Sequence, residues 1–581
     1  MALGPRPGDT SHSRDAAAYI EKSVTDAGGT AGGTAGGTAG GTAGGTAGGT
    51  AGGTAGGTAG GTIERFPVGA VDLPAITVMG ATYREAHRVE SSDPDLIVRF
   101  GPPGPKWSGA GLPRPAGKAL LLMAHYDTVH DSPGAVDNAA AVGTLIELAR
   151  ALDLEAPRFP VILAFTANEE IGLVGAEALA ARIGDDVSFA IALDLVGGSG
   201  ALSLNGASEL IGAEEMRWLA AAAERAGVVI RAPLAHRVVS RWWPQAERSD
   251  HGPFTRRGIR AVHFYNRGQD GEWIDLAYHS PRDLLERIER SSIDELGRFL
   301  FALTRVSPPG VGGLDGFWVP VLRNRILPRW TLIAIEVVLA LLALLAVISL
   351  RTARARGGLG VLPAFGCILL ATCVAVAAEL LAGGAHPAPW LHAPLRSEIA
   401  ELLILGGALG LFALIARRMR PWIGEHRYLA VAIVIPLAVG VALLAIGAAE
   451  LAWIWLVPAA VIALAPRLGP ARLIAPVAAA LPMVLVLAPN QLREAAWNGF
   501  WPTGLPLAVW LAVFSLPVAA SIAWLVRRRG ATGPLGAFVL PMGCLLSVIA
   551  GALLVARAHP PCSAPDFNKF HLACEATQGV R

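Results

Sequence analysis

Cysteine is absent from the chain before Cys367, and five cysteines are present in all. A disulfide framework and a thiolate zinc site are therefore excluded from the first part of the sequence. Cys367, Cys373 and Cys544 lie inside apolar stretches, where cysteine is a small core hydrophobe. Cys562 and Cys574 lie in a polar tail, where a disulfide forms only in an oxidising compartment.

The chain also lacks an excess of charge of either sign. Lys and Arg number 48 against 46 Asp and Glu, a formal net charge of +2, and no basic patch is interleaved with aromatic residues. Nucleic-acid binding depends on such a patch. We therefore expect no nucleic acid among the partners.

Long apolar stretches are missing from the first part of the chain and dominate after residue 330. They raise the hydrophobic content to 53% and the mean hydropathy to +0.47. A stretch of about 20 apolar residues can cross a bilayer as a helix. We predict an all-α, multi-span membrane domain with the lipid bilayer as partner, in about eight helices at 330–350, 359–383, 398–416, 428–448, 449–465, 472–489, 504–526 and 534–556.

The rest of the chain divides by composition. Residues Ala27 to Thr62 are nine copies of Ala-Gly-Gly-Thr, a glycine-rich tract that behaves as a flexible loop and buries no core. We predict six segments: an N-terminal helix candidate (1–26, with the helix over Ser13 to Val24), the repeat (27–62), an enzyme-like domain (63–310), a linker (311–329), the membrane domain (330–556) and a polar C-terminal tail (557–581).

Strand and helix patterns alternate through the enzyme-like domain. Strands are predicted at 63–68, 119–124, 160–166, 189–195 and 259–264, and helices at 138–152, 175–182, 216–226 and 293–303. Such alternation is typical of helices packed on both faces of a sheet. We predict an α/β three-layer sandwich with a mostly parallel central sheet.

Arginines alternate between the loops that connect the predicted spans. The loops after the first, third, fifth and seventh spans are rich in arginine, whereas the even-numbered loops carry only Arg396 and Arg493. Positive residues mark cytoplasmic loops. The bias predicts that the enzyme-like domain and the tail with Cys562 and Cys574 lie on the extracytoplasmic side.

Two features oppose this orientation. Arg323, Arg325 and Arg329 precede the first span, and the opening MALGPRPGD carries no apolar export signal. We expect an in-frame amino-terminal signal-anchor helix upstream of this sequence. The alternative is a cytoplasmic domain with the loop bias inverted.

Acidic residues and histidines follow the ends of several predicted strands. Open α/β sheets present their chemistry at those ends. Two divalent ions about 3.5–4 Å apart need a bridging carboxylate with imidazole and carboxylate ligands on each side. The residues that supply such a two-metal site are His125-Tyr126-Asp127, Asp137-Asn138, Glu169-Glu170, Asp194 and Tyr278-His279.

Each of these residues also has a structural interpretation. His125 can be a packed core residue, and Asp137 can cap the helix that begins at Asn138. Glu169 and Glu170 can form a solvated loop edge, and Asp194 can be a turn residue. Their recurrence near strand ends favours a metal site, because clustered carboxylates are costly unless cations neutralise them.

Six segments in order resemble the motif series of family-28 zinc metallopeptidases, the bacterial leucyl aminopeptidase and aminopeptidase Y type. The resemblance covers roughly residues 70–305 and implies a zinc-exopeptidase sandwich. The polytopic second half resembles endoplasmic-reticulum metallopeptidases of that family. The segments are MAHYDTV, GAVDNAAAVGTLIELARAL, AFTANEEIGLVGAEAL, IALDLVG, RSDHGPF and YHSPRDLLERI.

The resemblance implies a role for each site residue, with two zinc ions per chain. Asp137 bridges both ions, His125 and Asp194 complete one site, and Glu170 and His279 complete the other. Glu169 is the general base, which takes a proton from the attacking water and gives it to the leaving amine. Asp127 orients His125, and Tyr278 stabilises the oxyanion.

Other histidines and acids near these motifs receive structural interpretations. Ser249-Asp250-His251 matches a loop near the cleft and is expected to be structural or to line the substrate wall. His130, His236 and His263 match no motif, so we expect them to be ordinary packing or surface residues.

These features together predict a membrane-anchored zinc aminopeptidase that acts on peptides outside the cytoplasm. A related zinc hydrolase, such as a carboxypeptidase or glutaminyl cyclase, is an alternative because it uses the same ligands. A catalytically inactive receptor or scaffold with the same fold is a second alternative. Inactive members lose ligands or the base, whereas Glu169 and all five ligands are present here.

Overall fold

The computed structural model divides the chain into two compact units, Met1–Leu327 and Pro328–Arg581, and each is described by itself. The division falls inside the predicted linker. The residues that the structure describes are 4–26, 30–31, 62–74, 76–78, 81–84, 86–101, 118–207, 211–231, 249–266, 279–309, 329–351, 425–468, 474–475 and 477–479.

Among the described residues of the first unit, eight strands form one mixed sheet in the order β1-β2-β5-β7-β6-β8-β10-β9. The neighbours β7, β6, β8 and β10 are parallel, whereas β5 is antiparallel to both β2 and β7, and β9 is antiparallel to β10. The strands are β1 (Thr30–Ala31), β2 (Thr62–Leu73), β5 (His87–Phe100), β6 (Ala119–His125), β7 (Val161–Thr166), β8 (Val187–Leu193), β9 (Leu202–Ala207) and β10 (Ala261–Asn266), with β3 (Ile76–Val78) and β4 (Ala81–Arg84) forming a separate pair.

Helices cover both faces of this sheet, because the side chains of the central strands are apolar on both sides. On β6, Leu120 and Leu122 face one hydrophobic cluster, and Leu121 and Met123 face the other. The first cluster includes residues of α1 (Ser11–Asp26), α2 (Ala140–Leu154), α4 (Ala213–Ala226) and α6 (Arg290–Leu303), and the second includes residues of α3 (Val174–Ile183) and α5 (His251–Arg256). The predicted three-layer α/β arrangement is therefore present.

The sheet differs from the prediction on its flanks. A mostly parallel sheet is expected, and the described sheet is mixed: β7, β6, β8 and β10 are parallel at its centre and β1 is parallel to β2 at its edge, whereas β5 and β9 run antiparallel to their neighbours. Neither strand was predicted. The sequence of β5, HRVESSDPDLIVRF, begins with charged and polar residues and contains Pro94, so it lacks the apolar run expected of a buried strand.

The first 31 residues belong to the same unit as the sheet. Ala16, Ala17, Ile20 and Val24 of α1 are buried in the first hydrophobic cluster. Two residues of the predicted repeat loop, Thr30 and Ala31, pair in parallel with the start of β2. The intervening residues 32–61 of the repeat lie outside the described part of the chain.

The second unit contains three described helices: α7 (Arg329–Arg351), α8 (Glu425–Ala445) and α9 (Ala449–Leu464). Within the described residues, one segment, Trp330–Ser349, is long and apolar enough to cross a membrane, and α8 and α9 contain shorter apolar segments. The predicted spans 359–383, 398–416, 504–526 and 534–556 lie outside the described residues, as does most of 472–489.

Candidate metal centre

Three parallel strands bring site residues to one edge of the sheet. His125 is the last residue of β6, Asp194 directly follows β8, and Glu169 and Glu170 follow β7 after a turn. Because β6 pairs with β7 on one side and with β8 on the other, these residues converge at the carboxyl ends of adjacent strands.

Two irregular segments supply the remaining residues of the cluster. Asp137 lies in a single π-helical turn, Ala135–Ala139, with non-helical dihedrals of φ −114° and ψ 82°. The N-cap of α2 is Ala139, so the interpretation of Asp137 as a helix cap is wrong. His279 adopts a left-handed conformation with φ 53°, which non-glycine residues adopt mainly where the surrounding structure holds them.

The carboxylate of Asp137 lies between two histidines. Its Oδ1 is 3.2 Å from His125 Nε2, and its Oδ2 is 3.2 Å from His279 Nε2. His125 Nε2 is also 3.4 Å from Asp194 Oδ1, and His279 Nε2 is 3.1 Å from Glu170 Oε2. All five predicted metal ligands are thus brought together in two groups that share Asp137.

These separations fit the donor geometry of zinc. Zinc binds imidazole nitrogen and carboxylate oxygen at about 2.0–2.2 Å, which places two ligand atoms of a tetrahedral ion about 3.3–3.6 Å apart. The four nitrogen–oxygen distances in the cluster are 3.1, 3.2, 3.2 and 3.4 Å, at or slightly below this range, so small adjustments of the side chains would accommodate an ion. The second carboxylate oxygen of Glu170, Oε1, is buried without a hydrogen-bond partner. The donor set therefore suits one zinc ion on each side of Asp137.

Burial and mutual repulsion control the charge of the acids. Burial, reinforced by Asp137, raises the pKa of Glu170 to about 7. Burial also raises the pKa of Glu169 well above its ordinary value, and the neighbouring Asp194 and Glu170 add to the effect. For Asp137 burial acts in the same direction, but the hydrogen bonds to His125 and His279 outweigh it and lower the pKa.

The same acids favour the charged form of the two histidines. Burial lowers the pKa of His279, but the carboxylates of Glu170 and Asp137 outweigh it and raise the pKa to about 10. Burial likewise opposes the charge on His125, yet Glu169 and the other acids raise its pKa well above the ordinary value. The pocket therefore attracts positive charge strongly, as a cation site requires.

Asp127 acts through both its carboxylate and its main chain. Its carboxylate oxygens accept hydrogen bonds from the main-chain N–H groups of Glu169, at 3.1 Å, and Glu170, at 3.2 Å. Its main-chain oxygen is 3.2 Å from His125 Nδ1, whereas its carboxylate is 3.6 Å away, beyond hydrogen-bond range. The nearest acceptor that orients the imidazole is thus the carbonyl, and the carboxylate holds the paired glutamates.

Further buried acids hold the segment between β7 and the glutamates. Asp95 of β5 accepts a hydrogen bond from Ala167 N at 2.9 Å, and Asp250 accepts one from the Thr166 hydroxyl. Asp250 therefore has a structural role of the kind predicted for its motif. Asp95 was not identified from the sequence, since β5 itself was not.

Asp283 is a second residue that the sequence analysis missed. Its two carboxylate oxygens accept the main-chain N–H groups of Val136, at 2.8 Å, and Asp137, at 3.0 Å. The segment YHSPRD carries this aspartate four residues after His279, and that spacing was the available signal.

The remaining predicted residues fall in different places. Tyr278 and His236 lie outside the described residues. His130 is exposed, as a surface residue is expected to be. His263 is buried, stacks on His251 with ring centroids 5.6 Å apart, and lies 4.0 Å from Asp194, so it packs against the cluster.

Residues 110–304 match the model of peptidase family M28, and this span contains every predicted site residue. Aminopeptidase YwaD of Bacillus subtilis is 31% identical over 197 residues, which are 32% of this chain and 40% of YwaD. A vacuolar membrane protease of Candida albicans is 45% identical over 60 residues, which are 10% of this chain and 7% of that protein. The chain thus spans less than half the length of these curated relatives.

Solved structures are similar at lower identity. A zinc aminopeptidase from Bacillus subtilis, BSAP, is 21% identical with a TM-score of 0.31, covering 38% of this chain and 51% of that chain. A glutaminyl cyclase from Bacteroides thetaiotaomicron, bound to N-acetylhistamine, is 16% identical with a TM-score of 0.34, covering 52% of this chain and 92% of that chain.

Proposed function

We infer, from the premise that residues 110–304 form a domain of peptidase family M28, that the protein is a membrane-anchored, zinc-dependent aminopeptidase with two zinc ions per chain. The observation that carries this proposal is the carboxylate of Asp137, whose two oxygens each lie 3.2 Å from a different histidine nitrogen. One carboxylate in that position can serve two cations.

The proposed ligands divide into two sets around Asp137. His125 and Asp194 would hold one zinc ion, and Glu170 and His279 would hold the other. When bound, the ions would polarise the scissile carbonyl and lower the pKa of the attacking water. Three carboxylates against two dications leave a net positive site, which suits a reaction that develops negative charge on oxygen.

Glu169 is the proposed general base and acid. Its carboxylate takes a proton from the attacking water and then gives that proton to the nitrogen of the leaving amine. Burial raises the pKa of Glu169 well above its ordinary value, and a raised pKa favours proton uptake by this carboxylate. Asp127 fixes the main chain of Glu169, and Tyr278 is proposed to donate to the carbonyl oxygen in the transition state.

Peptides with a free amino terminus are the proposed substrates. The relative YwaD is named as an aminopeptidase, which supports this class of reaction.

We propose that the peptidase domain is extracytoplasmic on a multi-pass membrane anchor. The apolar helix Trp330–Ser349 and the resemblance to vacuolar membrane proteases support membrane association. The arginine-rich loops after alternate spans support the sidedness.

Purified full-length protein should cleave amino-acyl fluorogenic peptides and spare amino-blocked ones. Chelation should abolish the activity, and added zinc should restore it. Cleavage of the blocked peptides instead would contradict an aminopeptidase. Cyclisation of an amino-terminal glutaminyl substrate without peptide cleavage would favour a glutaminyl cyclase.

A further inference from the structure

A buried arginine outside the metal cluster connects two of its segments. The guanidinium of Arg6 donates from Nε to the carbonyl oxygen of Tyr126, at 3.0 Å, and from Nη1 and Nη2 to those of Pro133, at 2.8 Å, and Gly134, at 3.2 Å. Tyr126 directly follows the ligand at the end of β6. Pro133 and Gly134 lead into the turn that carries the bridging carboxylate. One planar group thus fixes the spacing of both segments.

The main chain of Arg6 is held as well. Its N–H donates to Thr128 Oγ1 at 2.7 Å, and its carbonyl accepts from Thr128 N at 3.1 Å. Hydrogen bonds from its main chain and from its side chain therefore both hold Arg6 in place, and the side chain is fully buried.

Asp283 makes the equivalent connection on the other side of the bridging residue. Its carboxylate accepts the N–H groups of Val136 and Asp137, and its main-chain oxygen accepts that of Ala135, at 3.2 Å. Asp283 and His279 lie in the same loop, so this contact ties the turn that contains Asp137 to the segment of the second histidine.

We propose that Arg6 and Asp283 are positioning residues that each set one of the two histidine–Asp137 spacings, and so each controls the affinity of one zinc site. Arg6 governs the site of His125 and Asp194, and Asp283 governs the site of Glu170 and His279. This inference rests on the proposed dinuclear centre. It extends that centre to residue 6, more than 100 residues before the first ligand.

Charge and close packing make Arg6 hard to replace. Burial lowers its pKa below the ordinary value, but the carboxylates of Asp127, Asp137 and Asp283 oppose this, and the guanidinium stays charged. Gly134 permits the close approach, because a Cβ there would lie 3.0 Å from Arg6 Nη2 and closer still to Asp137 O. Its φ of 64° also favours glycine.

Zinc affinity measured by chelator competition on the full chain tests the proposal. Arg6→Gln should weaken one zinc ion by about 10- to 100-fold, the usual effect of removing a partner that orients a ligand. Arg6→Lys should recover part of the loss, since an ammonium reaches one or two of the carbonyls. Arg260→Gln is the matched control, because Arg260 is also buried, pairs with Glu215 at 2.7 Å and binds Ser188 at the start of β8, the end of that strand opposite Asp194, and it should leave zinc binding unchanged.

An Asp194→Asn background separates the two sites, since it leaves only the site of Glu170 and His279. In that background Arg6→Gln should cause no further loss, whereas Asp283→Asn should weaken the remaining ion by about 10- to 100-fold. Equal effects of both substitutions on both sites, or no effect of either, would overturn the proposal.

Folding and the underlying zinc centre are checked separately. If Arg6→Gln does not fold, Arg6→Lys decides: it should weaken one zinc ion in the otherwise unsubstituted chain and cause no further loss in the Asp194→Asn background. Unfolding temperatures of the zinc-free variants report folding directly. Failure of the unsubstituted protein to bind two zinc ions would instead refute the dinuclear centre itself.

Discussion

Glu169 and Glu170 are adjacent, but their different contacts predict that substitutions at the two positions have different effects on zinc binding and turnover. Glu170 lies 3.1 Å from His279 Nε2, in a position to share a cation with it. Glu169→Gln should therefore preserve zinc content while lowering kcat by about 100- to 10,000-fold, the range expected when general-base catalysis is lost. Steady-state kinetics with parallel zinc analysis measures both quantities.

Glu170→Gln is the matched comparison, because it makes the same chemical change one residue away. It should weaken one zinc ion, and excess zinc should restore part of its activity. If zinc rescues Glu169→Gln and not Glu170→Gln, the assigned roles are reversed.

The buried carboxyl group of Asp250 is expected to make the stability of the folded protein depend on pH. Burial raises its pKa from 3.8 to about 7, so between these values the folded protein holds a proton that the unfolded chain has lost. Stability from this group is therefore present at low pH and lost as the pH rises towards 7. In zinc-free protein, Asp250→Asn should flatten this fall, and the unfolding temperature at about pH 8 relative to about pH 5 measures it.

Glu177 provides a control, because its contribution to stability should change with pH in the opposite direction. Burial opposes its ionisation, but hydrogen bonds from Arg257 and Arg256 outweigh burial and lower its pKa. Its contribution is present above the unfolded pKa and is lost as the pH falls through the folded one. Glu177→Gln should therefore reduce stability at neutral pH, and a loss confined to low pH would contradict the assignment.

At the scale of elements, strand β5 shows where prediction from sequence stopped. Ser91, Asp93 and Asp95 are buried although they are polar, and other segments of the fold supply hydrogen bonds to each of them. Asp93 Oδ1 and Asp95 Oδ2 nevertheless have no hydrogen-bond partner among the described residues. Asp93 accepts hydrogen bonds from Ser13 and from Asp9 N, and Asp95 accepts one from Ala167 N. Partners so distant in sequence leave no local periodic signal, so the segment did not resemble a strand.

Helix α3 approaches the end of β7 closely at Gly175. A Cβ at Gly175 would lie closer than 3.0 Å to Asp95 Oδ1 and to the main-chain N and O of Ala167. Gly175→Ala should therefore cost about 1 to 3 kcal/mol of stability, as overpacking does, and shift the segment that leads to Glu169. Denaturant unfolding and kcat measure the two effects.

Gly143 of α2 is the matched control for that substitution. A Cβ there meets no atom within 4 Å, so Gly143→Ala should stabilise the helix by about 0.5 to 1 kcal/mol. Equal stability changes at the two positions would show that the close approach at Gly175 has no energetic role.

At the scale of the whole molecule, the sequence predicted the features that depend on patterns of neighbouring residues. Apolar runs located the central strands, and the common edge where the parallel strands end accounts for His125, Glu170 and Asp194 among the predicted metal ligands. Asp137 and His279 lie on irregular segments, and the resemblance to a known motif series indicated their roles. Arg6 and Asp283 escaped prediction because each acts through main-chain groups of distant segments. Such contacts depend on tertiary packing between distant segments, and only Asp283 has a signal in the sequence, its position four residues after His279.

Membrane sidedness is the whole-molecule prediction that the loop arginines support. If the loops after the first, third, fifth and seventh predicted spans are cytoplasmic, the proposed peptidase domain and the tail would both lie outside the cytoplasm. That side would also give Cys562 and Cys574, which lie outside the described residues, an oxidising compartment. In intact cells, a membrane-impermeant thiol reagent should therefore label Cys574 after mild reduction.

The labelling is interpretable because the other three cysteines lie in predicted spans. A variant with Cys562→Ser and Cys574→Ser should show no labelling in intact cells, and Cys562→Ser alone should expose Cys574 without reduction, since its partner is gone. An external tail also requires an even number of spans between it and the peptidase domain, as the eight predicted spans provide. Labelling of Cys574 only after lysis would place the tail in the cytoplasm, and with that span number it would place the peptidase domain there too.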